Sequence, residues 1–521
     1  MKKIWNAERQ ELTMVQAAAV FSNHMVLQQG KRIAVFGTGT AGAHVTVSIP
    51  EMGVSVSGKV KADGSWKVYL PAMEGGLSLT MDISGAEEHY QFTDVVTGEV
   101  WLAGGQSNME FFLKNAKGGT EELKQCSHAN VRCYNVYRNT FMDENYEAAE
   151  RTNSWRCASE ENAAEWSAVA YWAAKELSEK LGVPVGIIGC NLGGTSASCW
   201  MPKEDLHLHT KLFPYWQDYE NACAGKTDEE MIAEYDAYVA YHTAWTERME
   251  ACYRENGQMK WDEVIRRCGE NRYPGPMGIK NPLRPTGTYE TMLRRVMPYT
   301  IRGFWYYQGE SDDHRPEVYD LLLTAMIARW RQDWADETLP FLLVQLPMFC
   351  YEDAQDAKNW CLIRENQMRV YQNLKNTGIV VALDCGEWNN IHPIDKLPVA
   401  HRLALQTLCQ VYGGDEKAAF GPIYRSFSVE GDILTLAFDH AEGGLILTED
   451  GAGFELAQED GAYVPAKAEI AGNTIRLHSA AVSCPARARY AWKNFAPVTL
   501  YGKNGIPAAP LRTCRMEAYD L

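Results

Sequence analysis

A chain of 521 residues is too long for one hydrophobic core and suggests roughly two to four domains. Its 46% hydrophobic and 11% aromatic content fills such cores without metals or disulfide staples. Its 50 basic residues against 67 acidic ones give a net charge of −17, which opposes contact with nucleic acid or an anionic bilayer.

At the N-terminus, "MKKIWNAERQELTMVQ" has two lysines with no apolar stretch behind them, and no run of about 18 apolar residues follows anywhere. A cytoplasmic protein is expected, with neither membrane nor nucleic acid as partner. From about Ala17 to Val96 the signals are β: "RIAVFGTG", "HVTVSI", "VSVSGKVKADGSWKVYLP" and "LSLTMDISG" alternate and are separated by Gly-rich or Asp-Gly turns. This predicts a small β-sandwich over residues 1–98. The texture changes at Glu99. A strand at Val100 to Ala103 precedes "GGQSNME", "AAEWSAVAYWAAKELSEKLG" is an amphipathic helix stopped by Gly182, and "VPVGIIGC" is a buried strand. Residues 203–281 read as a helical insertion rich in charge and aromatics. Then come "IRGFWYYQ", a helix from about Glu317 to Trp334, "LPFLLVQLP", a helix from about Ile363 to Leu374, "TGIVVALDC", and a helix from about Leu397 to Tyr412. Such alternation over residues 99–415 predicts an open, mostly parallel sheet with helices on both faces. From about Gly421, β patterns return and mark a second β-domain over 416–521. The fourteen cysteines are scattered singly without a C-x-x-C pair, so metal clusters and dithiol chemistry lose support and most are expected to be buried small hydrophobes.

Ligands of open α/β sheets sit at the carboxyl ends of the strands, so polar residues after apolar runs are the candidates. Four places qualify: Gln106-Ser107-Asn108; "CNLGGTSASCW", with Gly193, Gly194 and Thr195; "YYQGESDDH", with Gln308 and Glu310; and "LDCGEWNNIHP", which delivers His392. Together they supply acyl transfer. Ser107 can attack a carbonyl carbon while His392 Nε2 takes its proton. The N–H of Ser107, a glycine N–H from Gly193 or Gly194, and the side-chain amide of Gln308 or Asn108 can hold the oxyanion. Each has a plainer reading: Ser107 as a helix cap, "GGT" as a tight turn, and Glu310, Asp312, Asp313 and His314 as the acidic start of a helix rather than a metal site. His401, in mid-helix, reads as a satisfied structural histidine.

The order Ser, Gly, amide, His, with no G-x-S-x-G elbow, resembles the SGNH hydrolase superfamily. "MVLQQG", "GEVWLAGGQSNME", "GGTSASCW", "RPTGTYETMLRRVMPYTIRGFWYYQGESD", "IHPIDK" and "RYAWKN...LYGKNGIPAAPLRT" narrow this to a resemblance to the sialate O-acetylesterase family of carbohydrate esterases, over about residues 18 to 515. The resemblance implies a flavodoxin-like SGNH core flanked by β-domains and hydrolysis of O-acetyl esters on sugars. It places the nucleophile on Ser107 and the base on His392, puts Gln106, Asn108 and Glu310 near substrate, and implies no metal or cofactor. Many SGNH enzymes carry an acid two or three residues before the histidine; here Asn390 and Asn389 stand there. Asp384, Glu387 and, less favoured, Glu310 are the candidate third members, and a backbone carbonyl supporting a Ser-His dyad is the preferred alternative. The substrate is expected to be an acetylated mono- or oligosaccharide. If it is a sialate, Arg284 or Arg294 is the candidate partner for its carboxylate. If it is a xylo- or manno-oligosaccharide, Trp200, Trp216, Tyr235, Tyr238 and Trp245 would suit stacking, although packing is the favoured role for any one of them. A non-catalytic carbohydrate-binding protein is the reading from another class. The oligomeric state is open.

Overall fold

The computed structural model describes residues 14–514 except 86–87, 257–258, 352–354 and 460. Most of the N-terminal stretch read above for an export signal therefore lies outside the described residues. Among the described residues, no helix is long and apolar enough to cross a membrane.

The architecture is organised by one long strand, β1 (His89–Gly105). Its first half pairs antiparallel with Ser78–Ser84 and parallel with Val26–Gln28, inside the N-terminal β region. Its second half becomes a central strand of the α/β sheet. The expected boundary between residues 98 and 99 falls within this continuous strand. The remaining strands of that sheet are β2 (Ser127–Asn135), β3 (Arg156–Ser159), β4 (Val185–Asn191), β5 (Gly303–Tyr307), β6 (Phe341–Gln345) and β7 (Thr377–Val381), in the order β3-β2-β4-β1-β5-β6-β7. All neighbours are parallel except β3, which pairs antiparallel with β2 at the edge. Every residue of β4, β5, β6 and β7 is buried. Since side chains alternate between faces, both faces of the sheet are covered.

The cover is helical. α1 (Ala168–Leu181) ends where Gly182 takes a left-handed φ of 69°, as the sequence predicts, and packs with α4 (Leu397–Tyr412). α2 (Tyr319–Asp333) packs with α3 (Asn359–Asn373). α3 begins four residues before the predicted Ile363, because the Trp360 N–H is capped from far along the chain by Asn494 Oδ1 at 3.1 Å. No local motif announces such a cap.

The insertion is helical as expected, dominated by the helix Asp228–Glu255, which a Thr227–Glu230 capping box starts. Trp245, Cys252, Met259, Val264 and Cys268 give it a small core of its own. Trp200 and Trp245 are buried packing residues, their indole N–H groups donating to Thr195 Oγ1 and Gly269 O, so neither faces a sugar. Among the described residues, the C-terminal strands form two four-stranded sheets and a two-stranded ribbon. They are held to α3 by the buried Arg512–Glu365 pair and by Arg364, which donates to Lys493 O.

Candidate active site

Gly105, Asn191 and Tyr307 are in register on β1, β4 and β5, so the loops after these three strands emerge side by side. Gly105 turns the chain out of the sheet at φ 130°. A Cβ there would lie 2.1 Å from Tyr307 O, so only glycine lets the strand leave at this point. The short helix Ser107–Glu110 follows. Its N-cap is Gln106, which makes no side-chain cap bond. Ser107 is therefore not the cap, and its Oγ lies 2.8 Å from His392 Nε2.

His392 comes from the loop after β7, three strands from β1 and about 14 Å across the sheet. Asn108 brings that loop back. Its Nδ2 donates to Ile391 O at 3.0 Å and to Glu310 Oε1 at 2.6 Å, while Lys396 Nζ donates to its Oδ1. Lys117 N–H adds a bond to Ile394 O at 2.9 Å. Burial holds His392 below its ordinary 6.5, and the Lys396 ammonium lowers it further, so the ring is neutral and basic at pH 7.

Neither favoured carboxylate candidate reaches the histidine. Asp384 forms a bidentate pair with Arg402 at 2.6 and 2.8 Å. Glu387 accepts from Asn390 Nδ2 and the Ile394 N–H, and Asn390 Oδ1 in turn accepts the His392 N–H. Glu387 thus braces the loop rather than the ring, and Glu310 faces Asn108. No carboxylate among the described residues is hydrogen-bonded to the imidazole. Asp384→Asn is therefore expected to keep kcat within about tenfold, roughly 1.4 kcal/mol of barrier, and to cost stability instead through Arg402. Glu387→Gln should likewise stay within about tenfold. Stopped assays on both variants beside their urea midpoints check this. A loss of a thousandfold in either folded variant would restore a Ser-His-acid triad.

The expected oxyanion donors also change. The Gly193 N–H is committed to Glu110 Oε2 at 2.7 Å. Gln308 Nε2 donates to Asp312 Oδ2 at 2.6 Å and Thr195 O at 3.2 Å, with both its amide hydrogens engaged in the interior. Neither is available to a ligand. The N–H groups of Ser107 and Gly194 have no partner among the described residues. The glycine turn is close to the serine, since a Cβ on Gly193 would sit 3.4 Å from Ser107 Cβ. Gly194 takes a left-handed φ of 78° that favours glycine, and a Cβ there would push against the Tyr273 hydroxyl at 2.3 Å.

Gln106 is buried and ties the first loop to the third, accepting the N–H groups of Gly309 and Ser311 at 3.3 and 3.2 Å. The "ESDD" segment is not a simple helix start. Asp312 is fully buried and accepts from Ser196 Oγ, Ala197 N–H, Tyr215 OH and Gln308, which makes it the anchor of the glycine turn. Sequence reasoning missed Lys396 and gave Asp312 only the role of an acidic residue at a helix start. "IHPIDK" and "QGESD" contained them, but nothing local marks a Lys or Asp as buried.

Arg284 is engaged by Ile279 O, Thr140 O and Glu290, and Arg294 lines a separate cleft of about 480 Å³ with Phe21, Phe36 and Tyr90. His401 bonds to Glu176 at 2.9 Å, a structural pairing between α4 and α1. Among the described residues, ligating atoms of His24, Asp94 and Cys157 lie within 4.8 Å of one another. Arg132 already occupies that carboxylate, and Asp94 lies on the first half of β1, roughly 35 Å along the strand from Gly105.

Residues 275–400, which carry Gln308, Glu310 and His392, match the family model described as a carbohydrate esterase, sialic acid-specific acetylesterase. The chain is 25% identical to mouse sialate O-acetylesterase over 463 residues, covering 81% of this chain and 78% of that protein. It is 24% identical to the rat enzyme over 550 residues, covering 96% and 94%. A crystal structure of a carbohydrate acetylesterase from Xanthomonas citri superposes with a TM-score of 0.76 at 28% identity, covering 96% of this chain and 100% of that one. Segment, full-length relatives and fold agree in their likeness to sialate O-acetylesterases and carbohydrate acetylesterases, and the chain is an ester hydrolase similar to them.

Proposed function

We propose that the chain removes O-acetyl groups from sugars through a serine acyl-enzyme on an SGNH-type scaffold. The observation that carries the reading is the 2.8 Å contact between Ser107 Oγ and a neutral His392 at the carboxyl ends of the sheet. Ser107 Oγ attacks the acetyl carbonyl as His392 Nε2 takes its proton. The oxyanion is held by the N–H groups of Ser107 and Gly194, donors that need no reorganisation as charge develops. Collapse expels the sugar hydroxyl, which takes the proton back from His392. Water then attacks the acetyl-serine with the same histidine as base, and the serine is restored.

Two substrate classes are in play. The family and the mammalian relatives carry the name of sialate esters. The engagement of Arg284 and the distant cleft of Arg294 favour a neutral ring, because the two cations suggested for a sialate carboxylate are occupied or elsewhere. The test is acetate release from acetylated sialic acids, xylo-oligosaccharides and manno-oligosaccharides offered in parallel. Release from at least one is expected, with the neutral oligosaccharides ahead. Preference for sialates would overturn the argument from the arginines, and release from none of the three would overturn the proposal.

A further inference from the structure

Lys396 immediately precedes α4 and is 1% exposed. Its ammonium lies 4.8 Å from the centre of the Phe111 ring and 5.8 Å from that of Tyr307, and it donates to Asn108 Oδ1. A charge this deep is costly unless it is compensated. The compensation here is one amide oxygen, two ring faces, and the fields of Glu310 and Glu387. Burial nevertheless brings the ammonium down to about 8. On the other side of Asn108, burial raises Glu310, whose Oε2 has no partner among the described residues. Asn108 follows Ser107, and Ile391, whose carbonyl Asn108 also holds, precedes His392. The network therefore grips the chain neighbours of both groups that meet at 2.8 Å.

We infer that Lys396 is a positioning residue: through Asn108 it locks the Ser107 turn against the His392 loop, and its positive charge keeps the imidazole unprotonated and ready to act as a base. The other charges around the histidine are turned elsewhere. Glu387 faces Asn390 and Ile394, Asp395 pairs with Lys117, Glu110 holds Gly193 and Arg138, and Asp313 accepts from Asn359. This assignment rests on the reading of Ser107 and His392 given above.

The test is the pH profile of kcat/KM on an activated aryl acetate, for the wild type, Lys396→Gln, Lys396→Met, Lys396→Arg and Ser107→Ala. The wild-type acidic limb is expected below the ordinary histidine value of 6.5. Lys396→Gln keeps a donor for Asn108 without the charge, and Lys396→Met removes both. Each should move the limb upward by about half a pH unit or more, with kcat reduced at least about tenfold. Lys396→Arg should hold the limb in place while lowering kcat. A wild-type limb at or above 6.5, or an unmoved limb in the folded Gln and Met variants, overturns the inference. If the neutral variants do not fold, Lys396→Arg decides: an unchanged kcat in that folded variant overturns the positioning role, and a lowered one upholds it. Turnover by Ser107→Ala would instead overturn the underlying mechanism. An inactive Ser107→Ala combined with an unmoved limb removes only the role of Lys396.

Discussion

Ser107→Ala is expected to lower acetate release by at least about 10⁴-fold and to leave the fold standing. The hydroxyl bonds to His392 and caps no helix, so its loss removes one partly exposed hydrogen bond, a cost of about 1 kcal/mol. Under the proposed mechanism the chemical consequence is far larger, because among the described residues no other nucleophile is hydrogen-bonded to Nε2. What remains should be only the slow catalysis that oxyanion donors and binding provide without a nucleophile. Turnover and a thermal melt on the same preparation give both halves of the result. A variant that melts early while its folded fraction keeps full activity would make Ser107 a structural residue and defeat the mechanism.

Arg302→Met is expected to destabilise the protein by about 3–5 kcal/mol, the largest stability effect anticipated here. Glu99 is fully buried where β1 passes from the N-terminal β region into the α/β sheet. Arg302 holds it at 2.6 and 2.8 Å, and the amides of Gln28 and Gln29 donate to the same carboxylate at 3.0 and 2.6 Å. Burial alone would raise this carboxyl, yet Arg302 and the two glutamines outweigh it and keep it below its ordinary value. Without the guanidinium, a charge remains in the interior with no cation bonded to it and the Gln28 and Gln29 amides as its donors. A folded-state value below the unfolded one means that the group stabilises the fold above the ordinary carboxylate range. That contribution is lost as pH falls through the depressed value. The denaturation midpoint of Arg302→Met should therefore recover in part in the double variant Glu99→Gln, Arg302→Met, which carries no buried charge. A single-variant cost below about 1 kcal/mol would show that the pair is replaceable by solvent. Because the same strand ends at Gly105, two residues before Ser107, loosening its root should also lower kcat in the folded fraction.

The sequence by itself determined the alternation of apolar runs and amphipathic helices, the stop at Gly182, and the four loops that deliver Ser107, the glycine pair, Gln308 and His392. These are legible because strand and helix periodicity, turn glycines and the polar residues after buried strands are properties of neighbours in the chain. Tertiary structure alone decided which polar groups are free. Gly193 is lost to Glu110, 83 residues away, and Gln308 to Asp312 and to Thr195 O, 113 residues away. Asp384, one of the candidate acids, turns to Arg402, and Lys396 is drawn beneath Asn108 across 288 residues. The single strand His89–Gly105 joins two regions that composition separates. The physical reason is common to all of these. A hydrogen bond or buried charge goes to whatever partner packing brings within about 3 Å, and in a parallel sheet those partners come from distant strands whose spatial order the sequence does not list.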